Sequence, residues 1–198
     1  CSMEIDGKPK LACMTRMSGY DPEATVKIQP IKTFPIVRDL VANVSWNYEQ
    51  NKRIPPFQSA ATEDGKGLVM HQKDVDRVQE FRKCIECFLC QDVCHVLRDH
   101  DKEDDFVGPR FMIRLAGLEM HPADTVDRIP IIRKDFGSGL CNITRCCTDV
   151  CPEHIGITDN AIIPLKERVV DRFYDPIAWV LRKIFGRSKK EAVKALEV

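Results

Sequence analysis

The fold predicted for this chain depends on one short cysteine run, Cys84-Ile-Glu-Cys87-Phe-Leu-Cys90-Gln-Asp-Val-Cys94. Its spacing is C-x2-C-x2-C-x3-C. Three cysteines at this spacing can curl around one cubane, because each thiolate then binds a different iron. The fourth cysteine is carried forward by a helical turn and reaches a different cluster. The run therefore predicts a second cysteine run elsewhere in the chain that completes both sites.

The second run is Cys141-Asn-Ile-Thr-Arg-Cys146-Cys147-Thr-Asp-Val-Cys151-Pro152. Its register matches the first run when Cys141, Thr144, Cys147 and Cys151 are set against the four cysteines there. The middle position of the triplet is then Thr144, which is not a thiolate. Cys147 and Cys151 are one helical turn apart, so a helix can direct them to different clusters.

The crossover between the two runs assigns a set of ligands to each of two clusters. The set for a [4Fe–4S] cluster is Cys84, Cys87, Cys90 and Cys151. The set left for the other site is Cys94, Cys141 and Cys147. Three thiolates suit a [3Fe–4S] cluster that has no iron at the corner opposite Thr144. Two interpretations of Cys146 stay open: a buried free thiol, or the ligand of a fourth iron at this second site.

Disulfides and zinc are the two other uses of cysteine that compete with clusters. The chain has 10 Cys in 198 residues. Disulfides require a secreted chain, and the N-terminus has no basic stretch followed by an apolar core. Zinc takes four ligands from two separated pairs. This fits poorly with four cysteines in one short run and a second run in which Thr144 stands in place of one cysteine. The pattern therefore favours iron–sulfur clusters.

Composition limits the class of protein further. Lys+Arg is 30 and Asp+Glu is 30, so the formal net charge is zero and no bulk electrostatic case for nucleic-acid binding exists. The densest apolar run, 177–181, is far shorter than a membrane span. Because the chain begins with Cys1 and not Met, we expect it to be part of a longer polypeptide.

The pattern of secondary structure predicts strands first and helices later. Residues 1–37 are predicted to be strands and turns, with a hairpin turn at Asp6-Gly7 and a second strand over 28–37. Helices are predicted over 37–53, from an N-cap at Asp74 to Cys84, from Gly108-Pro109 to His121-Pro122, from Thr158 to Phe173, and from Asp175-Pro176 onward. The acidic segment 99–105 is predicted to be a solvated loop. A basic tail follows the last helix, and it is expected either to meet an anionic membrane surface or an anchor subunit, or to form a solvated helix face.

Two further cysteines, Cys1 and Cys13, flank the hairpin-like stretch. A plant-type [2Fe–2S] site has the order C-x4-C-x2-C followed by a distant fourth cysteine. Cys1 and Cys13 fit the last two of such a set, with the first two upstream. The alternative is two unrelated buried thiols.

The chain as a whole resembles a known protein family. The pieces that carry the resemblance are Leu11-Ala-Cys-Met-Thr15, Phe34-Pro-Ile-Val-Arg-Asp-Leu40, Cys84-Ile-Glu-Cys87 and Cys141-x5-Cys147-x3-Cys151-Pro152. On these pieces, the chain resembles the iron–sulfur subunit of succinate dehydrogenase or fumarate reductase over nearly its whole length. The resemblance implies an α+β fold. Residues 1–42 are expected to be the C-terminal part of a β-grasp, plant-type [2Fe–2S] ferredoxin domain, and 43–198 an α-helical ferredoxin domain with the [4Fe–4S] and [3Fe–4S] clusters.

The family resemblance also implies the function. Electrons from succinate, oxidised at FAD in a flavoprotein subunit, would pass through [2Fe–2S], [4Fe–4S] and [3Fe–4S] to a quinone at a membrane anchor, with or without haem b. The chain would lie peripherally on the cytoplasmic or matrix face of an energy-transducing membrane, and would supply no catalytic residue for the dicarboxylate. The alternatives are a fumarate reductase subunit that runs the reverse reaction, a ferredoxin-like carrier for another reductase, and a zinc-binding module.

The chain departs from one branch of this family around its quinone site. His95-Val-Leu-Arg98 follows Cys94 without a Trp, and Asn142 stands where that branch has His. Phe88 stands where Gly is often found. The candidate quinone or cluster neighbours are His95, Asn142 and Thr144. For His95, a hydrogen bond to a cluster ligand or a quinone contact competes with simple packing.

Overall fold

The structure is a computed structural model that describes residues 1–59, 69–176 and 180. It begins with an antiparallel hairpin of β1 (Ser2–Ile5) and β2 (Lys8–Leu11). Asp6 and Gly7 form the turn at φ 51° and 71°, the left-handed pair that a tight hairpin requires. This confirms the predicted turn. A third strand, β3 (Ile28–Gln29), pairs with the other side of β1.

The predicted helix over 37–53 is wrong in its first half. A second hairpin, of β4 (Ile36–Arg38) and β5 (Val41–Ala42), occupies this part, and the helix α1 begins only at Ser45 (Ser45–Lys52). Asp39 takes the left-handed conformation at φ 49° and turns the chain. Val37, Leu40 and Val41 are exposed. Their helical spacing therefore did not mark a buried helix face.

In the rest of the described chain, loops join a series of helices. They are α2 (Gln72–Gln79) with a 3-10 turn (Glu80–Lys83), α3 (Leu89–Asp92), α4 (His95–Arg98), α5 (Pro109–Glu119), α6 (Ile129–Lys134), α7 (Cys146–Asp149), a π-helical turn (Ile157–Ile162) and α8 (Ile163–Phe173). The predicted bounds of α5 and the acidic loop over 99–105 are confirmed. Two predicted caps are wrong: His71 and not Asp74 precedes α2, and Thr158 lies inside the π-helical turn, which follows Gly156.

Helix α5 is the centre of the larger hydrophobic core. Met112, Leu115 and Ala116 on α5 are fully buried, and the π-helical turn, α8 and α3 pack around the helix. The N-terminus of α5 lies against α3, because a Cβ at Gly108 would come within 2.1 Å of Oε1 of Gln91. That close approach and a φ of 84° at position 108 both require glycine. The contact holds α5 beside the cysteine run.

Three of the predicted cluster cysteines belong to this core: Cys90, Cys94 and Cys147 are buried in it. A smaller cluster of Ile31, Phe34 and Phe88 joins the strands to the first cysteine run. The predicted last helix lies almost entirely outside the described residues, as do the run 177–181 and the basic tail. Within the described residues, no helix has the length and apolar composition needed to cross a membrane.

A buried charge cluster also joins the two parts, and the sequence patterns gave no sign of it. The Glu4 side chain on β1 is 0% exposed and forms ion pairs at 2.7 Å with Lys32 and with Arg98 of α4. Asp92 of α3 accepts hydrogen bonds from the backbone amides of Lys32 and Thr33 at 2.8 and 3.1 Å. This cluster ties the strand region to the helices that carry Cys90 and Cys94.

We expect Glu4→Ala to lower the free energy of unfolding by about 2 kcal/mol, because it removes two ion pairs made by one buried carboxylate, while Lys32 and Arg98 stay partly solvated. Urea unfolding measures this loss. Lys52→Ala is the control, since its exposed pair with Glu49 at 3.1 Å is worth less than about 1 kcal/mol. Equal losses in the two variants would contradict a stabilising role for the buried cluster.

Candidate iron–sulfur cluster sites

The two cysteine runs share one backbone shape. In the first run, Glu86 and Phe88 are left-handed at φ 58° and 60°. In the second, Ile143 and Arg145 occupy the matching positions at φ 62° and 67°. A one-turn helix follows each pair, α3 at Leu89 and α7 at Cys146. The structure therefore places Thr144 in the second run where Cys87 stands in the first.

The left-handed residues have a physical role in each loop. Alternation of right- and left-handed residues turns successive backbone N–H groups into one concavity, which suits an anionic group such as an iron–sulfur cluster. The conformation costs a non-glycine residue roughly 1–2 kcal/mol. Phe88 offsets this cost by packing, since it is buried and stacks edge-on against Phe34 and Tyr48 with centroids 6.3 Å apart. This explains how Phe can stand at a position that favours Gly.

The first cavity is formed by both runs. Four cysteines line it: Cys84, Cys87, Cys90 and Cys151. The first three come from the loop before α3 and from α3 itself, and Cys151 follows α7. Arg110 of α5, which the sequence analysis missed, also lines this cavity and pairs with Glu86. The signal that could have found it is a charged residue on the apolar face of a predicted helix.

The second cavity is also formed by both runs, but here the second run supplies most of the cysteines. Four cysteines line it: Cys94, Cys141, Cys146 and Cys147. Cys94 comes from the first run, at the start of α4, and the others come from the loop before α7 and from α7 itself. The two cavities are adjacent, because α3 carries Cys90 to the first and leads directly to Cys94 in the second.

The pKa values of the thiols reflect burial among other thiols. Desolvation raises the pKa of Cys94 and of Cys147 to about 11 each, with repulsion from Cys146 and Cys141 adding to it. Burial likewise raises the pKa of Cys87 and Cys90, and the charges of Cys84 and Cys151 add to the shift of each. These groups are therefore neutral thiols without metal, and each must release a proton before it binds iron.

The donors of both cavities fit iron–sulfur clusters. Thiolates are soft ligands that suit iron with sulfide, and each thiolate of a cluster binds its own iron. The backbone concavities add N–H groups that favour an anionic cluster. Among residues 1–59 and 69–176, no three His, Cys, Asp or Glu side chains are arranged to hold one metal ion.

Cys1 and Cys13 lie at the same end of the first hairpin. Ser2 pairs with Leu11, and the amide of Ala12 donates to the carbonyl oxygen of Cys1 at 2.9 Å. Both cysteines are exposed. The Ser2 hydroxyl donates to the carbonyl oxygen of Cys87 at 2.6 Å. This end of the hairpin therefore lies against the first cavity.

The three predicted neighbours of the second cluster all line the second cavity: His95, Asn142 and Thr144. Nε2 of His95 is buried and has no hydrogen-bond partner within the described residues. Asn142 and Thr144 are exposed, so the cavity opens to solvent on their side. Oγ1 of Thr158, predicted only as a helix cap, lies 3.5 Å from Sγ of Cys147.

Two family models match the chain. Residues 1–49 match the model of a 2Fe-2S iron-sulfur cluster binding domain, and residues 80–155 match that of a 4Fe-4S dicluster domain. With the small sheets and the helices described above, they give an α+β, ferredoxin-like arrangement.

Three curated relatives of this chain are named as iron–sulfur proteins or iron–sulfur subunits. A fumarate reductase iron-sulfur subunit of Mycobacterium tuberculosis is 28% identical over 77% of this chain and 62% of its own length. A succinate dehydrogenase iron-sulfur subunit of Bacillus subtilis is 29% identical over 80% of this chain and 62% of its own length. An uncharacterized iron-sulfur protein of Methanococcus maripaludis is 29% identical over 88% of this chain but only 34% of its own length. The chain thus spans between about a third and just under two thirds of these curated relatives.

One solved structure has a higher sequence identity to this chain than these curated relatives have. A chain of the Mycobacterium smegmatis Sdh1 complex in the apo form is 58% identical, with a TM-score of 0.86. The match covers 89% of this chain and 74% of that chain.

Proposed function

Since this chain belongs to the family of succinate dehydrogenase and fumarate reductase iron–sulfur subunits, we propose that it carries electrons between a flavoprotein subunit and a membrane quinone. In this proposal, succinate is oxidised to fumarate at FAD in the flavoprotein. The clusters supply one-electron redox chemistry when bound. The residues of this chain hold the clusters, separate them from solvent and set their order.

One observation carries the proposal: the sites lie in a continuous series along the chain's own contacts. Ser2, next to Cys1, bonds to the carbonyl of Cys87 in the first cavity. Helix α3 then connects Cys90 in the first cavity to Cys94 in the second. An electron-transfer subunit needs a series of adjacent cluster sites, because electrons pass from one cluster to the next.

The proposed ligands follow the cavities. Cys1 and Cys13 are two ligands of a [2Fe–2S] cluster in a β-grasp domain whose C-terminal part is residues 1–42. Cys84, Cys87, Cys90 and Cys151 hold a [4Fe–4S] cluster, and Cys94, Cys141 and Cys147 hold a [3Fe–4S] cluster, both within an α-helical domain over 43–198. His95 donates a hydrogen bond from Nε2 toward the second cluster or a quinone.

The proposed partners are a flavoprotein with FAD, a membrane anchor with or without haem b, and a quinone, with the chain bound peripherally on the cytoplasmic or matrix face. The names of the relatives include both succinate dehydrogenase and fumarate reductase. The reverse reaction is therefore the second candidate function. Cluster potentials set the direction.

The proposal is tested by whether succinate reduces the clusters of the purified complex. We expect anaerobic succinate to abolish the near-isotropic EPR signal of the oxidised three-iron cluster, and a quinone to restore it. Malonate, a dicarboxylate that cannot be oxidised in this way, is the control and should leave the signal unchanged. A signal that responds to dithionite but not to succinate would favour a carrier for another reductase.

A further inference from the structure

The second cavity has one thiol more than the three ligands proposed for it. We propose that Cys146 is the thiolate that binds a fourth iron at this site, so that the site exchanges one iron between a three-iron and a four-iron form. The inference rests on the proposed cluster function of this cavity. It concerns a residue that the family's cysteine pattern leaves without a role.

The position of Cys146 relative to Thr144 carries the proposal. By the matching backbone of the two runs, Thr144 stands where Cys87 supplies the middle ligand of the first site. Sγ of Cys146 lies 3.3 Å from Oγ1 of Thr144. The extra thiol therefore lies beside Thr144, which is the position in the second run where the middle cysteine of the first run has no counterpart.

The other thiols of the cavity place Cys146 within the same group. All four line one cavity.

Two features make iron exchange possible at this corner. Within the described residues, the polar contacts of Sγ of Cys146 are a 3.3 Å hydrogen bond to the carbonyl oxygen of Val93 and the 3.3 Å contact with Oγ1 of Thr144. Thr144 and Ile143 beside it are exposed, so a ferrous ion can enter from solvent. In the first run the matching residue is Leu89, which is fully buried in the core. The extra thiol is thus a feature of the second site alone.

The uptake step balances with one electron and one ferrous ion. A one-electron reductant converts the oxidised [3Fe–4S]1+ core to [3Fe–4S]0, and addition of Fe2+ gives [4Fe–4S]2+. The S–H bond of Cys146 breaks, its proton goes to solvent, and a bond from Sγ to the new iron forms. A one-electron oxidant stronger than a quinone, such as ferricyanide, oxidises the [4Fe–4S]2+ core and reverses the step, with release of Fe2+ and reprotonation of the thiol.

The test uses the purified complex with the full-length chain. The complex is incubated anaerobically with dithionite and ferrous ammonium sulfate, desalted, and reoxidised with a quinone. EPR and iron content are then recorded. We expect the three-iron signal to fall by about fivefold or more, with a gain of one iron per chain, because the fourth corner is filled. Cys146→Ala should keep its signal and gain no iron. Thr144→Ala should convert as the unmodified complex does, since the thiol and not the hydroxyl binds the iron.

Conversion of Cys146→Ala to the same extent, or no conversion of the unmodified complex, would overturn the inference. A purified complex that already lacks the three-iron signal would refute the proposed three-iron assignment, which is a separate failure. In that case Cys146→Ala decides: a new three-iron signal in this variant supports the ligand role, and its absence refutes it.

Discussion

Cys151→Ala is expected to remove the [4Fe–4S] signal and leave the three-iron signal in place, although Cys151 lies in the second cysteine run. The reason is the crossover seen in the cavities: Cys151 lines the first cavity with Cys84, Cys87 and Cys90. Loss of one of the four proposed thiolate ligands would leave an iron without a protein ligand, so we expect the signal of the reduced four-iron cluster to fall by about tenfold or more. EPR of the reduced and oxidised complex measures both clusters in one sample.

Cys94→Ala is the matched variant and should give the opposite result. Cys94 lies in the first run but lines the second cavity. We expect it to remove the three-iron signal and to keep the four-iron signal. Cysteine-to-serine variants at the same two positions guard against a failure to fold, because serine keeps the size of the side chain. The crossover would be contradicted if each variant lost the cluster of its own run.

Thr144→Cys is expected to convert the second site to a [4Fe–4S] cluster. The matching left-handed pairs place residue 144 where Cys87 stands in the first site, so a thiol there has the position of a cluster ligand. The oxidised three-iron signal should disappear, and the iron content should rise by one per chain. Quinone reduction by succinate should fall by about tenfold or more, because cluster type sets the potential.

The control for this variant is Thr144→Ser, which keeps a hydroxyl at the same position and should keep the three-iron signal. Thr144→Cys in the Cys146→Ala background separates the new thiol from the existing one. If Thr144→Cys retained the full three-iron signal with unchanged iron content, residue 144 would not stand at the fourth corner.

Local signals in the sequence predicted the elements that depend on them. Asp6-Gly7 has the two residues that accept the left-handed turn of a hairpin, and Gly108-Pro109 has a proline at the first turn of a helix. The spacing of the cysteine runs predicted two groups of thiols, and each group lines a single cavity. The assignment of these thiols as ligands stays a prediction.

Long-range packing decided what the sequence could not predict. The helical spacing of Val37, Leu40 and Val41 gave a false helix, because these residues are exposed on a hairpin turned by Asp39. Buried Glu4 forms ion pairs with Lys32 and Arg98, which are distant from it in sequence. The left-handed Ile143 could not be predicted either, since a β-branched residue disfavours this conformation.

We expect the full chain to hold one [2Fe–2S], one [4Fe–4S] and one [3Fe–4S] cluster. Low-temperature EPR of the air-oxidised and the dithionite-reduced complex, with iron and acid-labile sulfide counted on the same sample, tests this expectation. We expect a near-isotropic signal in the oxidised state that vanishes on mild reduction, with iron and sulfide counts that match the three clusters. An EPR-silent oxidised sample with counts that match two four-iron clusters would contradict it.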